Sequence, residues 1–310
     1  MVKRSDMRKK KSKKKWLLIP LAVLLVLALG TAAYGYSIWS KAKETVDGEM
    51  HEPVDSIDLD VTKEKIKATE PLNILLMGID AREDDKGRSD ALMVLSLDPE
   101  SDRMQLVSIP RDTRTTIVGK GIEDKINHSY AYGGADMTVA TVENLLGLEL
   151  DYYVSMNMDG LEDLVDEVGP ITVQNEIAWS GDKYDFEKGP VNMDGDKTME
   201  FVRMRKQDPS GDFGRTKRQR QVIEAIVDRG ASVGSIPKID SVLDILGNNM
   251  ATNMDFADMK KIFSGYRDTR KNSETYMIEG SGTTIDGVYY YMVSDEEIEK
   301  VHDMIVNFGD

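Results

Sequence analysis

The chain has 310 residues, with 40 Lys and Arg against 55 Asp and Glu, which gives a formal net charge of −15. Such an acidic chain is not a general nucleic-acid binder, because proteins that follow a phosphate backbone need a broad positive surface. It contains no cysteine, which excludes disulfides, zinc–thiolate sites and thiol catalysis. The charge is uneven, since residues 1–15 carry a net +8 and residues 16–310 therefore carry −23.

A long apolar segment follows the basic stretch. Residues 16–39 contain no charged side chain and are rich in Leu, Ala and Val. As a helix this segment would extend about 36 Å, enough to cross a bilayer core of about 30 Å. The alternative is a cleaved signal peptide, because small residues at 30–33 follow the apolar run, but that run is longer than the roughly 7–15 residues of the apolar core of a signal peptide.

The distribution of charge around the apolar segment predicts the orientation of the chain. Basic residues precede it, whereas residues 41–60 hold seven acidic and two basic residues, so the positive-inside rule places the N-terminus in the cytoplasm. We therefore predict a single-pass type II protein of the cell membrane. Its predicted parts are a cytoplasmic tail (1–15), a transmembrane signal-anchor helix (16–39), an extracytoplasmic stalk (40–70) and a folded extracytoplasmic domain (71–310).

Short apolar runs alternate with helical periodicity after Pro71. Runs of this kind predict strands buried in a sheet between helix layers; they lie at 73–78, 91–97, 104–109, 152–158, 171–174, 275–278 and 284–292. Helices are predicted at about 136–146, 160–167, 196–206, 215–229, 237–247, 256–266 and 294–307. The last two strands are expected to close the sheet. Interspersed strands and helices indicate one α/β domain, with three layers and a mixed central β-sheet flanked by helices.

Charged residues follow the ends of the first three predicted strands. If these strands run up, down and up, they bring six residues to one edge of the sheet, the edge where open α/β sheets usually bind ligands: Asp80, Arg82, Arg88, Asp90, Arg111 and Asp112. Arg binds phosphate through paired hydrogen bonds, and Mg²⁺ is usually held by one or two carboxylates. The pattern indicates a divalent cation with a phosphorylated ligand, although solvated ion pairs in loops are an equally simple explanation.

A second basic cluster lies in residues 201–220, where seven Lys and Arg face two Asp, a local net charge of +5. The Pro and Gly between 207 and 214 predict a structured turn joining two helices. On the second helix Arg215 and Gln219 share one face. A solvated helix face explains any one of these arginines, but the whole cluster in so acidic a domain favours a focused anion pocket.

Several sequence blocks, in order, resemble the LytR-CpsA-Psr family. They are NILLMGIDAR (73–82), RSDALMV (88–94), VSIPRDT (107–113), KINHSYAYGG (125–134) and FVRMRKQDPSGDFGRTKRQRQVI (201–223). The resemblance is strong over about residues 71–230, and the block MRKQDPSGDFGR is most similar to the LytR or TagU branch. It implies that 71–310 is a catalytic domain of this family.

The resemblance implies a phosphotransferase of cell wall assembly. It would move teichoic acid or a related anionic polymer from an undecaprenyl-pyrophosphate donor to the C6 hydroxyl of N-acetylmuramic acid in peptidoglycan. Its partners would be this donor, peptidoglycan and the lipid bilayer, without nucleic acid, and the polyprenyl chain would occupy an apolar cavity under the sheet.

The resemblance also implies roles for individual residues. Asp80 and Asp90 would bind Mg²⁺ or Mn²⁺, and either could be the base. The implied catalytic residues are Asp80, Asp90, Arg111, Arg203 and Arg215. The substrate-binding residues that the resemblance implies are Arg82, Arg205 and Arg218, and we also predict this role for Arg88 at the sheet edge, for Asn127 in its sequence block and for Gln219 on the face of Arg215.

Two other functions are compatible with the same residues. A pyrophosphatase would use the same site, with water instead of a sugar hydroxyl as the nucleophile. A membrane-bound transcriptional attenuator is disfavoured, because a cytoplasmic part of about 15 residues is too short for a folded DNA-binding domain.

Overall fold

The computed structural model describes residues 30–80, 87–232 and 239–307. The chain divides into two compact units, residues 1–42 and residues 43–310. In the first unit the described residues are helical, as part of helix α1 at 30–44. Residues 16–29 of the predicted membrane helix lie outside the described residues. No helix in the described part of the chain combines the length and the apolar character needed to cross a membrane.

The second unit is a mixed α/β domain. Its helices are α2 (Leu59–Ala68), α3 (His128–Leu146), α4 (Met158–Val168), α5 (Gly195–Arg203), α6 (Asp212–Ser232), α7 (Ile239–Asn249), α8 (Phe256–Gly265) and α9 (Asp295–Val306), with a π-helical turn at Thr45–Met50 and a 3-10 helix at Arg267–Lys271. The longer strands are β1 (Leu72–Asp80), β2 (Arg88–Asp98), β3 (Arg103–Ile109), β6 (Tyr152–Asn157), β7 (Ile171–Asn175), β10 (Gly189–Met193), β12 (Asn272–Met277), β13 (Ser281–Ile285) and β14 (Val288–Met292). The shorter ones are β4 (Arg114–Ile117), β5 (Ile122–Lys125), β8 (Trp179–Ser180), β9 (Asp185–Phe186) and β11 (Met250–Thr252).

Six strands form the central sheet, in the order β11-β6-β1-β2-β3-β12. Strands β1, β2 and β3 are antiparallel neighbours, while β6 and β12 run parallel to β1 and β3 respectively. The sheet is therefore mixed, as the sequence predicts. The up-down-up order of the first three strands brings the end of β1, the start of β2 and the end of β3 to one edge.

Helices cover both faces of this sheet because residues along β1 alternate between two apolar clusters. Leu75, Met77 and Ile79 pack with residues of α3 and α9. Leu72 and Ile74 pack on the opposite face with Ile66 of α2 and with residues of α8. This confirms a central mixed sheet flanked by helices. A further apolar cluster joins β7, β10, α5 and α6 beside the sheet.

The prediction that residues 284–292 form one strand of the central sheet is wrong. These residues belong to a separate hairpin of β13 and β14. Asp286 and Gly287 at its turn have φ values of 50° and 82°, the left-handed pair that tight hairpins require. The Asp-Gly dipeptide favours a hairpin turn, but the apolar residues around it favour the prediction of one continuous strand.

Residues 43–70 belong to the folded domain instead of forming a stalk. Met50, Ile57 and Ile66 are each at most 5% exposed, and Lys65 Nζ lies 2.8 Å from the buried Asp151 carboxylate. The buried positions lie on a π-helical turn, a loop and a short helix, so they do not share the single period by which an amphipathic element is recognised. The domain begins at Lys43, not at residue 71.

Candidate active site

Asp80, the last residue of β1, and Arg88, the first residue of β2, are opposite each other. Gly78 pairs with Ala91 and Ile79 pairs with Ser89, so Asp90 is the extra residue of a β-bulge. Bulges redirect side chains and are common next to active sites. Arg111 and Asp112 follow the end of β3 at the same edge. The structure thus brings together five of the six charged residues predicted there; the sixth, Arg82, lies outside the described residues.

Asp90 is the centre of the interactions at this edge. Its Oδ2 accepts a hydrogen bond from Arg111 Nη1 at 2.6 Å, and its Oδ1 accepts one from Asn127 Nδ2 at 3.1 Å. Arg215 Nη1 of α6 lies 3.9 Å from Asp90 Oδ2. The Asp90, Arg111 and Arg215 side chains are 20%, 17% and 10% exposed. Two guanidinium groups thus converge on one carboxylate in a partly desolvated site, where charges act more strongly than in water.

Backbone and side-chain hydrogen bonds hold the residues around Asp90 in place. Asn127 N donates to Arg111 O at 3.2 Å, so the segment that carries Asn127 is fixed to the segment that carries Arg111. Asp112 Oδ1 accepts from Lys125 Nζ at 2.7 Å. His128, which follows Asn127, has its Nδ1 at 2.9 Å from Asp124 Oδ2. Asn127 donates to Asp90 and is the member of this pair that lies in the site.

The basic cluster of residues 201–220 does not converge as a whole. Arg215 lies 3.9 Å from Asp90, while Lys217 pairs with Glu176 at 2.5 Å. Arg203 is exposed at the end of α5 and lies within electrostatic reach of Glu162 on α4. Arg205 is exposed in the following loop and faces the groove that Asp112 also lines. The cluster is therefore spread over separate places: Arg215 lies at Asp90, Arg205 lines the groove beside Asp112, and a further cavity of about 380 Å³ is lined by Lys217, Arg218 and Arg220.

Arg218, expected from the resemblance to bind substrate, instead contacts the protein itself. Its Nη1 lies 2.5 Å from Asp208 Oδ2, and its Nε and Nη2 donate to the carbonyl oxygens of Phe201 and Met204. The Arg218 and Asp208 side chains are 6% and 8% exposed. Burial raises the pKa of Asp208, but the hydrogen bonds from Arg218 and Ser210 outweigh it and hold that pKa below its ordinary value. Arg218 thereby fixes the loop that carries Arg205.

An apolar cleft opens between the sheet and helices α4, α5 and α6. It lies next to the edge that carries Asp80, Arg88, Asp90, Arg111 and Asp112, called the charged edge below. Its volume is about 180 Å³, and its lining includes Gly78, Ala91, Met156, Leu161, Gln219 and Ile223. A Cβ atom added at Gly78 would lie 3.0 Å from the Ala91 Cβ, so these two small residues leave room on the sheet. Sequence reasoning missed this lining, although a glycine inside an apolar strand signals a close approach.

Gln219 connects the apolar cleft to the charged edge. It lies one helical turn after Arg215, as its spacing predicts. It lines the cleft and is 9% exposed, and its Oε1 is buried without a hydrogen-bond partner. A polar group directed into an apolar cleft beside two arginines suits a ligand with an anionic head and an apolar tail.

The donor atoms at this edge are compatible with a divalent cation. The described residues contain no group of three or more His, Cys, Asp or Glu able to hold a metal, but Mg²⁺ needs only one or two carboxylates when phosphate and water supply its other ligands. Asp80 and Asp90 lie on neighbouring strands at this edge. Asn127 Oδ1 is buried without a hydrogen-bond partner, and a carboxamide oxygen is a ligand type that hard cations accept.

Comparison with known proteins identifies the family. The model of the LytR_cpsA_psr family matches residues 31–306. The chain belongs to this family. The match extends well beyond the blocks recognised in the sequence and includes residues 43–70, which the structure places in the folded domain.

The similarity to individual family members covers nearly the whole chain. The polyisoprenyl-teichoic acid–peptidoglycan teichoic acid transferase TagU of Bacillus subtilis is 43% identical over 298 residues, 96% of each chain. The crystal structure of B. subtilis TagU matches with a TM-score of 0.63 and 40% identity over 77% of this chain and 96% of that one. A structure described as TagT bound to LIIa-WTA has a TM-score of 0.65 and 29% identity over 84% and 96% of the two chains.

Proposed function

We propose that this LytR_cpsA_psr family member is a phosphotransferase that attaches teichoic acid, or a related anionic polymer, to peptidoglycan. The donor is an undecaprenyl-pyrophosphate-linked polymer and the acceptor is the C6 hydroxyl of N-acetylmuramic acid. The observation that supports this proposal most directly is that Arg111 and Arg215 converge on Asp90 at the rim of an apolar cleft. The relative that is 43% identical over 96% of this chain is named as a teichoic acid transferase, which supports the proposal.

The two ends of the proposed donor match the two parts of the site. A polyprenyl chain would lie in the cleft lined by Gly78, Ala91 and Leu161, because burying each CH₂ group contributes about 0.8 kcal/mol. The pyrophosphate would lie at the rim, between Arg111 and Arg215. Guanidinium groups stay charged when they are partly desolvated, so they attract phosphate without a change of protonation.

The reaction is a displacement at the glycan-side phosphorus. The acceptor oxygen forms a bond to this phosphorus, the bond to the bridging oxygen breaks, and undecaprenyl phosphate leaves. Catalysis of phosphoryl transfer consists mainly of positioning and charge stabilisation. Arg111 and Arg215 therefore stabilise the negative charge of the pyrophosphate, and Asp80 or Asp90 takes the proton of the hydroxyl.

We propose Mg²⁺, or Mn²⁺ in its place, as the cofactor, held by Asp80 and Asp90 with the Asn127 carboxamide oxygen nearby. When bound, the cation would neutralise charge on the phosphate oxygens. Within the protein, Arg111 and Asn127 orient the Asp90 carboxylate through the hydrogen bonds to its two oxygens. We also propose that residues 16–39 anchor the chain in the membrane, with the domain outside the cell.

Mass spectrometry of the reaction products tests this function. The full chain in detergent is incubated with a polyprenyl-pyrophosphate glycan, uncross-linked peptidoglycan oligomers and Mg²⁺. The proposal predicts a glycan joined to peptidoglycan through a phosphodiester, with polyprenyl phosphate released. A free glycan phosphate as the only product would show that the protein is a pyrophosphatase instead.

A further inference from the structure

A groove lies at the charged edge and shares no lining residue with the apolar cleft. Its volume is about 370 Å³, and it is lined by Pro110, Asp112, Arg205, Phe213, Tyr289 and Tyr291, among others. The size is within the roughly 300–1,000 Å³ of small-molecule sites. The groove shares Asp112 with the charged edge and is therefore continuous with it.

Aromatic side chains form one surface of this groove. The rings of Phe213 and Tyr291 meet edge to face with centroids 5.2 Å apart. Tyr289 is two residues before Tyr291 on β14, so both point to the same face of the hairpin. Tyr291 is 4% exposed, whereas Tyr289 is 46% exposed. An open tyrosine ring beside this packed aromatic pair offers a flat apolar surface with a polar tip.

The hairpin that carries Tyr289 is fastened to the charged edge. Tyr291 N donates to Asp112 O at 2.9 Å, and Lys125 Nζ lies 5.9 Å from the centroid of the Tyr289 ring. Lys125 also pairs with the Asp112 carboxylate at 2.7 Å. The position of Tyr289 is thus fixed relative to Arg111, which precedes Asp112 in the chain.

The groove combines this aromatic surface with a carboxylate, Asp112, and a guanidinium group, Arg205. A pyranose ring has apolar C–H faces that pack on an aromatic ring, and hydroxyl and acetamido groups at its rim that bond to charged side chains. The apolar cleft lacks this mixture, since its lining is mainly Leu, Met, Val and Ile. The groove therefore suits a sugar, and the cleft suits a hydrocarbon chain.

The positions of the two cavities fit the geometry of phosphoryl transfer. In an in-line displacement the attacking and leaving oxygens lie on opposite sides of the phosphorus. Phe213 and Thr216 on α6 line the groove, and Gln219 and Ile223 further along the same helix line the cleft. With the leaving polyprenyl phosphate in the cleft, a nucleophile that arrives from the groove approaches from the far side of the charged edge.

We propose that this groove is the acceptor subsite, which receives an N-acetylated amino sugar of the glycan strand with Tyr289 as its stacking surface. The inference rests on the proposed function for the identity of the acceptor. It adds the location of the acceptor and a residue that determines its affinity. Tyr289 lies outside the contacts that hold Asp90, so its removal leaves the hydrogen bonds of Arg111 and Asn127 to Asp90 in place.

Steady-state kinetics of the full chain with Tyr289→Ala test the proposal. Aromatic packing of this kind contributes about 0.5–1.5 kcal/mol, so we expect the KM for the peptidoglycan oligomer to rise about three- to tenfold. The kcat and the KM for the lipid donor should stay unchanged, and Tyr289→Trp should restore the acceptor KM. Tyr290→Ala is the matched control, because Tyr290 occupies the next position of β14 and faces the other side, near Arg114.

A binding measurement separates this inference from the proposed function. The affinity of an uncross-linked GlcNAc–MurNAc tetrasaccharide for the full chain is measured by calorimetry, for the wild type and for Tyr289→Ala. The same three- to tenfold weakening, roughly that expected for lost stacking, supports the subsite even if the wild type only hydrolyses its donor. An unchanged affinity and acceptor KM in Tyr289→Ala, or a rise in the donor KM instead, would overturn it.

Discussion

At the scale of single residues, Arg218 has a structural role, which distinguishes it from the arginines that we expect to bind the ligand. It bonds to Asp208 and to the carbonyl oxygens of Phe201 and Met204, and its side chain is 6% exposed. Removing one partner of a buried ion pair costs about 3–5 kcal/mol, because the other charge stays buried. Arg218→Met should therefore lower the free energy of unfolding by about this amount, measured by urea denaturation.

The matched control for Arg218 is Arg220→Met on the same helix, where the side chain is partly exposed. A surface substitution of this kind should change the unfolding free energy by less than about 0.5 kcal/mol. Arg218→Met with wild-type stability and weakened donor binding would contradict the structural role and restore the role implied by family resemblance.

Asp208 gives this ion pair a pH dependence. Its pKa is lower in the folded protein than in the unfolded chain, where an aspartate has a pKa of about 3.9. The stabilisation is thus fully present above the unfolded pKa and is lost as the pH falls through the folded pKa. Between pH 6 and 3 the unfolding free energy should fall more steeply for the wild type than for Asp208→Asn. Parallel curves from urea titrations would contradict this.

At the scale of secondary-structure elements, a substitution on strand β2 tests whether the apolar cleft binds the polyprenyl chain. Ala91→Leu adds three carbons above the sheet where Gly78 and Ala91 leave room. We expect the affinity for a long polyprenyl-pyrophosphate donor to fall about tenfold or more, since each displaced CH₂ is worth about 0.8 kcal/mol. Donor KM values report the effect. A donor with one isoprene unit is the control, and an equal loss for both donors would contradict a chain-binding cleft.

Much of the element order could be predicted from the sequence, because apolar runs such as 104–109 are strong local signals. It is harder to predict from the sequence which strands pair with each other in a sheet. The tyrosines of 289–291 continue an apolar run, but the turn at Asp286 and Gly287 places them in a separate hairpin. Strand direction sufficed to bring Asp80, Asp90 and Arg111 together. The bulge at Asp90 could not be foreseen, since it depends on the pairing register of β1 and β2.

The roles of the arginines in 201–220 show a second limit of sequence reasoning. Helical spacing groups Arg215 with Gln219 but does not reveal which face meets the sheet. The structure directs Arg215 to Asp90 and Arg218 to backbone carbonyl groups of the preceding turn. Such a choice depends on tertiary packing, which a pattern of charges does not contain.

The boundary of the folded domain can be tested at the scale of the whole molecule. Residues 43–70 bury Val46, Met50, Val54, Ile57 and Ile66. Each such side chain contributes about 1.5–3 kcal/mol when it is fully buried. A fragment of residues 43–310 should unfold cooperatively, and one of residues 71–310 should be less stable by more than about 4 kcal/mol. Equal stability of the two fragments in calorimetry would restore the prediction of a stalk.

The net charge of the whole chain differs from the local charge at the candidate site. The net charge of −15 combines a basic N-terminus with a strongly acidic remainder. Within that remainder, Arg111 and Arg215 face Asp90 in a site of low exposure. An anionic polymer would be repelled by most of the surface, so electrostatic attraction would act mainly at this edge.

The most direct test of the account is the rate of transfer by Arg111→Ala beside that of Arg103→Ala. Both arginines border strand β3, but Arg111 binds Asp90 at one end, whereas Arg103 pairs with the exposed Glu274 at the other. With the lipid-linked donor and peptidoglycan oligomers, Arg111→Ala should lower kcat about 10²-fold or more, and Arg103→Ala should keep the wild-type rate. Equal rates in the two variants would contradict a pyrophosphate centre at this edge.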